Sequence, residues 1–302
     1  MPNYGISLSD MQELFKKLRK YEVKIRKAVN AHQQGEFKSI FKGTGLEFDD
    51  VRQYQYGDDV RAIDWNVTAK GHGAFIKTFK EERDQSVFLV VDVSASQEIG
   101  KKNAQKIDLT KELAGVLGLA AANIGSQVGL LCFTDQREKF IKPGKGSSHI
   151  YNLISELYKL TPNSKNTNIR SGIVETLARV KRKSVIILIS DFLDTDYENE
   201  LKSLAKRHDL IVLHVYDSTE SKLPSLGITP IVDKETGRKS WVNTSFFGFG
   251  KKSAKQLAEK TASMETLCKK FQIDYLKLET GKEYTTALIG LFNKRNKTWK
   301  RG

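Results

Sequence analysis

The sequence predicts an α/β protein built on a doubly wound, mostly parallel β-sheet with helices on both sides. Residues 87–91 and 185–189 are unbroken runs of large apolar side chains, which are typical of strands buried on both faces. After residue 86 such runs alternate with helical patterns, as expected where crossover helices join parallel strands. Polar side chains follow both runs immediately, at the strand ends where open α/β sheets hold their ligands.

The chain before residue 86 has a different pattern. Apolar residues recur every three or four positions over residues 8–31 and predict an amphipathic helix. Residues 43–52 have the pattern of a loop that leads into a short strand. Residues 74–79 have the alternating pattern of a half-buried strand. We therefore expect an N-terminal helix and β segment, residues 1–85, packed on a main domain formed by residues 86–302.

Alternating elements are predicted through the rest of the chain. Helices are expected at residues 103–123, 148–160, 169–180, 253–271 and 284–292. Further strands are expected at residues 128–133, 210–215 and 274–278, with an antiparallel edge strand at 137–141. Residues 226–242, within an insertion near 223–250, have the pattern of a late β-hairpin with a glycine-assisted turn.

Composition argues against several classes of protein. The chain of 302 residues has 39% hydrophobic and 28% charged residues, which is ordinary for a soluble protein. No apolar run is long enough to cross a membrane, and residues 1–10 lack the features of a signal peptide, so we expect a cytoplasmic protein. Cys132 and Cys268 fall in apolar patterns typical of small buried side chains, and their spacing does not suit structural zinc.

The formal net charge of +14 is concentrated toward the C-terminus. Basic pairs occur there at residues 251–252, 269–270, 294–295 and 300–301. Such a surface attracts anionic partners, nucleic acid included. No recognisable nucleic-acid-binding module accompanies these pairs, so a solvated helix face is the simpler interpretation.

A candidate metal site follows the first apolar strand. Asp92, Ser94 and Ser96 alternate along extended backbone, so their oxygens can project to one side. Thr167 lies in a polar loop ahead of a helix, and Asp191 ends the second apolar run, so all five side chains can converge at adjacent strand tips. Hard oxygen donors with few carboxylates favour Mg²⁺, or Mn²⁺, with water completing the coordination. Alternatively, these residues form ordinary capped turns, with Thr167 as a helix N-cap.

A second polar and aromatic cluster lies between the two N-terminal strands. Its members are Arg52, Tyr54, Gly57, Asp58, Arg61, Asp64 and Trp65. Asp58 or Asp59 is placed to cap a short helical turn, and Arg61 can pair with Asp64 across it. We interpret the cluster as a structural brace that pins the N-terminal segment onto the main domain, rather than as a catalytic site.

The candidate metal residues resemble a known site. The Asp92-x-Ser94-x-Ser96 string, the Thr167 loop and Asp191 look like the metal-ion-dependent adhesion site of von Willebrand factor A domains. That resemblance implies a von Willebrand factor A-like fold and Mg²⁺ or Mn²⁺ held by these five residues, with Asp191 acting either directly or through water.

A narrower resemblance covers most of the chain. Residues 45–48, the cluster between Arg52 and Trp65, and residues 233–237 resemble the bacterial family called domain of unknown function 58. Genes of that family lie near genes of MoxR-type AAA+ ATPases in bacteria. The resemblance therefore implies such an ATPase as the partner. Lys70 and Gln97 depart from the patterns of these families without changing a proposed metal ligand.

Three functions follow from these observations. The first is a non-enzymatic, metal-dependent protein-binding module that acts as an adaptor of a MoxR-type ATPase and accepts an Asp or Glu of its partner. The second is a hydrolase using metal-bound water, for which the strand ends offer no histidine base. The third is a nucleic-acid-binding protein that uses the basic C-terminal part. We expect the first function and no catalytic residues.

Overall fold

A computed structural model describes most of the chain. The described residues are 8–30, 46–69, 71, 73–81, 86–101, 104–220, 228–232, 239–243 and 249–299. Within them the predicted α/β architecture is confirmed: helices cover both faces of a central, mostly parallel sheet. None of the helices in the described part of the chain is both long enough and apolar enough to cross a membrane.

The helices and strands alternate after residue 86 as predicted. The helices are α1 Leu8–Asn30, α2 Trp65–Thr68, α3 Lys106–Asn123, α4 Ser147–Lys159, α5 Ile169–Arg179, α6 Glu198–Arg207, α7 Phe249–Lys270 and α8 Thr285–Trp299. The strands are β1 Leu46–Gln53, β2 Phe75–Glu81, β3 Ser86–Asp92, β4 Gly100–Lys101, β5 Ala104–Gln105, β6 Gln127–Phe133, β7 Arg137–Gly144, β8 Val185–Ser190, β9 Asp209–Tyr216, β10 Ile228–Val232, β11 Lys239–Asn243 and β12 Asp274–Glu279. Single 3₁₀ turns occur at Val60–Ala62, Ala95–Glu98 and Ser218–Glu220.

The central sheet has six strands in the order β12-β9-β8-β3-β6-β7. All neighbours are parallel except β6 and β7, so the predicted antiparallel edge strand is confirmed. Strand β3 lies between β6 and β8, with Val90 paired to Leu131 on one side and to Leu188 on the other. This order brings the carboxyl ends of β3 and β8 together, which places Asp92 near Ser190 and Asp191.

Strand β3 is apolar from Val87 to Val91 because its two faces pack in two different cores. Val87, Leu89 and Val91 pack in the core shared with α1, α3, α4 and α8. Phe88 and Val90 pack in the core on the opposite face, which α5, α6 and α7 cover. Period-two alternation of side chains therefore leaves no face of this strand for solvent.

Helix α1 packs against α3 and α8 of the main body. Leu18 is fully buried, and its methyl group lies so close to Gly115 that a Cβ there would be 2.8 Å from Leu18 Cδ1. Strands β1 and β2 form a separate antiparallel pair, as their sequence patterns predict. Whether residues 1–85 and 86–302 form two separate units stays a prediction.

The late hairpin is described only in its two strands. Strands β10 and β11 pair antiparallel, with Ile228 opposite Asn243, as the hairpin prediction requires. Its predicted glycine-assisted turn, and the motif at residues 233–237, lie outside the described residues. Cys132 and Cys268 are both buried free thiols, which confirms the expectation that they behave as small apolar side chains.

The predicted Arg61–Asp64 pair is wrong. Asp64 instead caps α2 by accepting hydrogen bonds from the Asn66 and Val67 backbone N–H groups, and its second oxygen lies 3.3 Å from Lys77 Nζ. The Arg61 side chain is exposed. Residues 63 and 64 have extended backbone between the 3₁₀ turn and α2, so the spacing of a continuous helix does not apply.

Two other members of the N-terminal cluster do pair. Arg52 donates to both carboxylate oxygens of Asp58, at 2.8 and 2.7 Å, and the Gln55 N–H donates to the same carboxylate at 2.8 Å. Asp59 caps the 3₁₀ turn. Arg52 thus holds Asp58, and Asp59 holds the 3₁₀ turn that follows. Trp65 is 67% exposed, which is the opposite of an interlocked, buried brace.

Candidate metal centre

Asp92 is a fully buried carboxylate at the last position of β3. Its Oδ1 accepts hydrogen bonds from the Ser94 backbone N–H at 3.0 Å and from Ser94 Oγ at 2.6 Å. Burial, and next the nearby charge of Asp191, raise the pKa of Asp92 to about 6. Among the described residues no cationic side chain pairs with Asp92, and a metal ion stabilises a buried carboxylate of this kind.

A chain of hydroxyl groups extends from Asp92 toward the surface. Ser94 Oγ lies 3.0 Å from Ser96 Oγ, and Thr167 Oγ1 lies 3.3 Å from Ser96 Oγ. The 3₁₀ turn Ala95–Glu98 follows Ser94 directly and keeps Ser96 buried next to it. Thr167 is half-buried, so the cluster opens to solvent at this residue.

The loop that carries Thr167 is fixed from three sides. The Ala95 N–H donates to the Lys165 carbonyl at 3.0 Å, which ties the loop to the turn after β3. The Glu138 carboxylate accepts the backbone N–H groups of Asn163 and Ser164, at 2.8 and 3.1 Å. Asn168, not Thr167, caps α5 by accepting the Ser171 N–H at 2.8 Å. The Thr167 hydroxyl therefore faces the cluster, and the capping alternative does not hold for it.

Ser190 joins the second strand to the same carboxylate. Its Oγ donates to Asp92 Oδ2 at 2.7 Å, so each oxygen of Asp92 has a hydroxyl partner. Gln97, which departs from the adhesion-site pattern, lies in the same buried group, with Nε2 at 3.5 Å from Asp92 Oδ2. The sequence marked Ser190 only as part of a polar strand end; its hydrogen bond to Asp92 depends on the pairing of β3 with β8.

Asp191 has a different environment, because a lysine lies against it. Lys106 is fully buried at the start of α3, and its Nζ lies 2.6 Å from Asp191 Oδ2 and 2.5 Å from Glu220 Oε1. The carboxylates of Asp191 and Glu220 raise the pKa of Lys106 against the opposing effect of burial. Sequence reasoning missed this residue. A cation in the first turn of a helix opposes the helix dipole, and that was its only local signal.

The arrangement suits a hard divalent cation. The donors that converge are one buried carboxylate and three hydroxyls, from Asp92, Ser94, Ser96 and Thr167, with Asp191 beside them. All are oxygen ligands, the class that Mg²⁺ and Mn²⁺ prefer. Within the described part of the chain no three His, Cys, Asp or Glu side chains converge as a metal cluster, so any ion here depends on the hydroxyls. A bound ion would supply a Lewis-acidic position for an anionic ligand.

Among curated proteins, this chain is similar to proteins of unknown role. An uncharacterized protein of Mycobacterium tuberculosis is 26% identical over 231 residues, which cover 76% of this chain and 73% of the relative. An uncharacterized protein of Mycobacterium bovis matches to the same extent.

Solved structures are more distant. BatB from Bacteroides thetaiotaomicron has a TM-score of 0.46 at 15% identity and covers 70% of this chain and 99% of its own. Proximal thread matrix protein 1 from the mussel byssus, with a zinc-occupied MIDAS motif, has a TM-score of 0.40 at 16% identity, covering 70% of this chain and 47% of its own.

A match to a family model identifies the family of this chain, which the distant structures do not. The model of the family described as "Protein of unknown function DUF58" matches residues 50–262, which is more than half of the chain. The match includes the Arg52–Trp65 cluster and all five candidate metal residues. This chain belongs to the DUF58 family.

Proposed function

We propose that this chain is a non-enzymatic, metal-dependent protein-binding module in the cytoplasm, and that it serves as an adaptor of a MoxR-type AAA+ ATPase. Asp92, Ser94, Ser96 and Thr167 hold Mg²⁺ or Mn²⁺, and an Asp or Glu of the partner completes the coordination. The observation that carries the proposal is the continuous series of oxygen donors from buried Asp92 to half-buried Thr167.

The charge of these donors supports an acidic ligand. Three of the four are neutral hydroxyls, so a divalent ion would keep positive charge after binding Asp92. A carboxylate from outside neutralises that charge better than water does. The net charge of +14 would add long-range attraction for an acidic partner surface, and this part of the attraction should weaken as salt rises.

The environment of His214 favours binding over hydrolysis. His214 lies in β9 beside Ser190, so a histidine stands near the site. Its ring is buried, and its Nδ1 is 2.7 Å from the Tyr275 hydroxyl. Burial lowers its pKa to about 4. A ring so enclosed is poorly placed to take a proton from a water molecule at the half-buried opening near Thr167.

A retention experiment tests the proposal. The chain is immobilised and challenged with the MoxR-type ATPase of the same organism, in Mg²⁺ and then in EDTA. The parent should retain the ATPase in Mg²⁺ and release it in EDTA, and Asp92→Ala should not retain it. Glu98→Gln is the matched control, because Glu98 is exposed and close to the site but outside the donor set. Equal retention in EDTA and by Asp92→Ala would place the contact elsewhere.

A further inference from the structure

Lys106 is among the largest side chains that are completely buried in the described part of the molecule. An ammonium group in such a place must be paired, and both of its partners are carboxylates from distant segments. Asp191 directly follows the last residue of β8, and Glu220 belongs to the 3₁₀ turn after β9. The lysine therefore links the edge of the candidate metal centre to the 3₁₀ turn Ser218–Glu220, which contributes no donor to it.

Asp92 and Asp191, the two acids at the candidate metal centre, have different hydrogen-bond and ion-pair partners. Asp92 contacts neutral groups: the hydroxyls of Ser94 and Ser190 at 2.6 and 2.7 Å. Those hydroxyls can turn their protons away when a cation arrives. Asp191 contacts a fixed positive charge through Oδ2, and its Oδ1 accepts the Leu193 N–H at 3.4 Å. Asp191 Oδ2 would have to give up or share this buried ion pair in order to bind metal directly.

We propose that Lys106 is a positioning residue that keeps Asp191 out of direct metal coordination. This inference rests on the proposed function and explains how the site would favour an acidic ligand. With Asp191 held by Lys106, Asp92 is the one carboxylate of the donor set that binds the ion directly, and Asp191 acts through water. The ion keeps more of its positive charge, and the position that Asp191 would fill stays available to a carboxylate of the partner.

Removing the lysine alone is a poor test, because Asp191 and Glu220 would be left as uncompensated buried acids. The double variant Lys106→Met/Glu220→Gln removes the cation together with one of its two anions. Glu220→Gln alone is the matched control, since it keeps the Lys106–Asp191 pair. The probe is Mn²⁺. Titration gives its affinity, and the relaxation of water protons reports how many water molecules remain on the bound ion.

The double variant should bind Mn²⁺ about tenfold more tightly than the parent, because Asp191 becomes a second direct acidic ligand. Water-proton relaxation per bound ion should fall, since Asp191 displaces a water molecule. The Glu220→Gln control should match the parent in both measurements. If the folded double variant has the affinity and relaxation of the parent, or a weaker affinity, Lys106 is structural only and the inference is overturned.

Asp191→Asn is a second variant, for the case in which the double variant does not fold. It leaves Lys106 paired with Glu220. If Asp191 acts through water, its neutralisation in Asp191→Asn should lower the Mn²⁺ affinity about tenfold. The water-proton relaxation per bound ion should stay the same. A loss as large as that of Asp92→Asn, together with increased relaxation, would show that Asp191 binds directly and would overturn the inference. A parent that binds no Mn²⁺ would overturn the metal-dependent function itself, and the inference with it.

Discussion

Ser190 and Asp92 are joined across two neighbouring strands, with the Ser190 hydroxyl donating to Asp92 Oδ2 at 2.7 Å. The residues are 98 positions apart in the chain and meet because β8 pairs with β3 in parallel. Ser94 holds the other oxygen of the same carboxylate. Asp92 is therefore fixed in orientation before any ligand arrives, which lowers the cost of binding one.

Ser190→Ala should weaken metal binding without unfolding the protein. The substitution removes the hydroxyl partner of Asp92 Oδ2, on which only the longer contact with Gln97 remains among the contacts described above, and leaves the hydroxyls of Ser94, Ser96 and Thr167 in place. Loss of a partner that orients a metal ligand typically costs about 10–100-fold in affinity, and we expect the lower end here. Calorimetric titration with Mg²⁺ measures the effect. Ser184→Ala, directly before the first residue of β8, is the control, and equal affinities in the two variants would contradict the role assigned to Ser190.

Leu18→Ala should destabilise the protein by weakening the contact between helices α1 and α3. Leu18 is fully buried and fills the space above Gly115 in α3. Truncation of a buried leucine to alanine costs about 2–5 kcal/mol, because apolar burial is lost and a cavity remains. Chemical denaturation measures the free energy of unfolding. The exposed neighbour Lys20→Ala should leave it nearly unchanged; a Leu18→Ala variant as stable as Lys20→Ala would show that α1 does not depend on this contact.

Arg61→Ala should leave the melting temperature of the protein unchanged within error. Arg61 is exposed, and its backbone rather than its side chain takes part in the 3₁₀ turn capped by Asp59. Surface substitutions away from buried networks have small effects on stability. Thermal unfolding of the parent and the variant is the measurement. A clear drop in melting temperature would restore the bracing role that the sequence suggested for this residue.

His208 should make the protein sensitive to acid. It is buried at the end of α6, and neither ring nitrogen has a hydrogen-bond partner within the described residues. Burial, and then Arg207, lower the pKa of His208 from 6.5 to about 4. The folded protein thus favours the neutral ring, so this contribution to stability is complete above pH 6.5 and is lost as the pH falls toward 4.

His208→Leu removes the titrating group and keeps an apolar side chain of similar size. The free energy of unfolding of this variant should fall less steeply than that of the parent between pH 6.5 and pH 4. Denaturation at a series of pH values gives both slopes. Parallel slopes would show that His208 is not protonated on unfolding in this range.

The main features of the fold were predictable because they depend on local patterns. Runs such as residues 87–91 are apolar at every position only when both faces of a strand are covered, and the structure places this strand between two cores. The convergence of Asp92, Ser94, Ser96 and Thr167 followed from the rule that ligand sites lie at strand ends. Geometry brings these residues together as expected, whereas their role as metal ligands stays a prediction.

What the sequence could not show depends on pairing between distant segments. Lys106 meets partners that are 85 and 114 positions away, and no local pattern encodes that contact. The Arg61–Asp64 prediction was wrong for a local reason. It assumed continuous helical spacing, but Asp64 has extended backbone with φ −86° and ψ 96° and begins a new helix. A spacing rule applies only where the backbone is regular.

The most direct test of the central claim is calorimetric titration of Mg²⁺ or Mn²⁺ into the parent, Asp92→Ala and Glu98→Gln, each confirmed to be folded by circular dichroism. Asp92 provides the one direct carboxylate of the proposed site, while the sheet around it holds the fold. The parent and Glu98→Gln should bind one ion with equal affinity, and Asp92→Ala should bind none. Unchanged metal affinity in Asp92→Ala would contradict the account, because the ion would then be held by other residues.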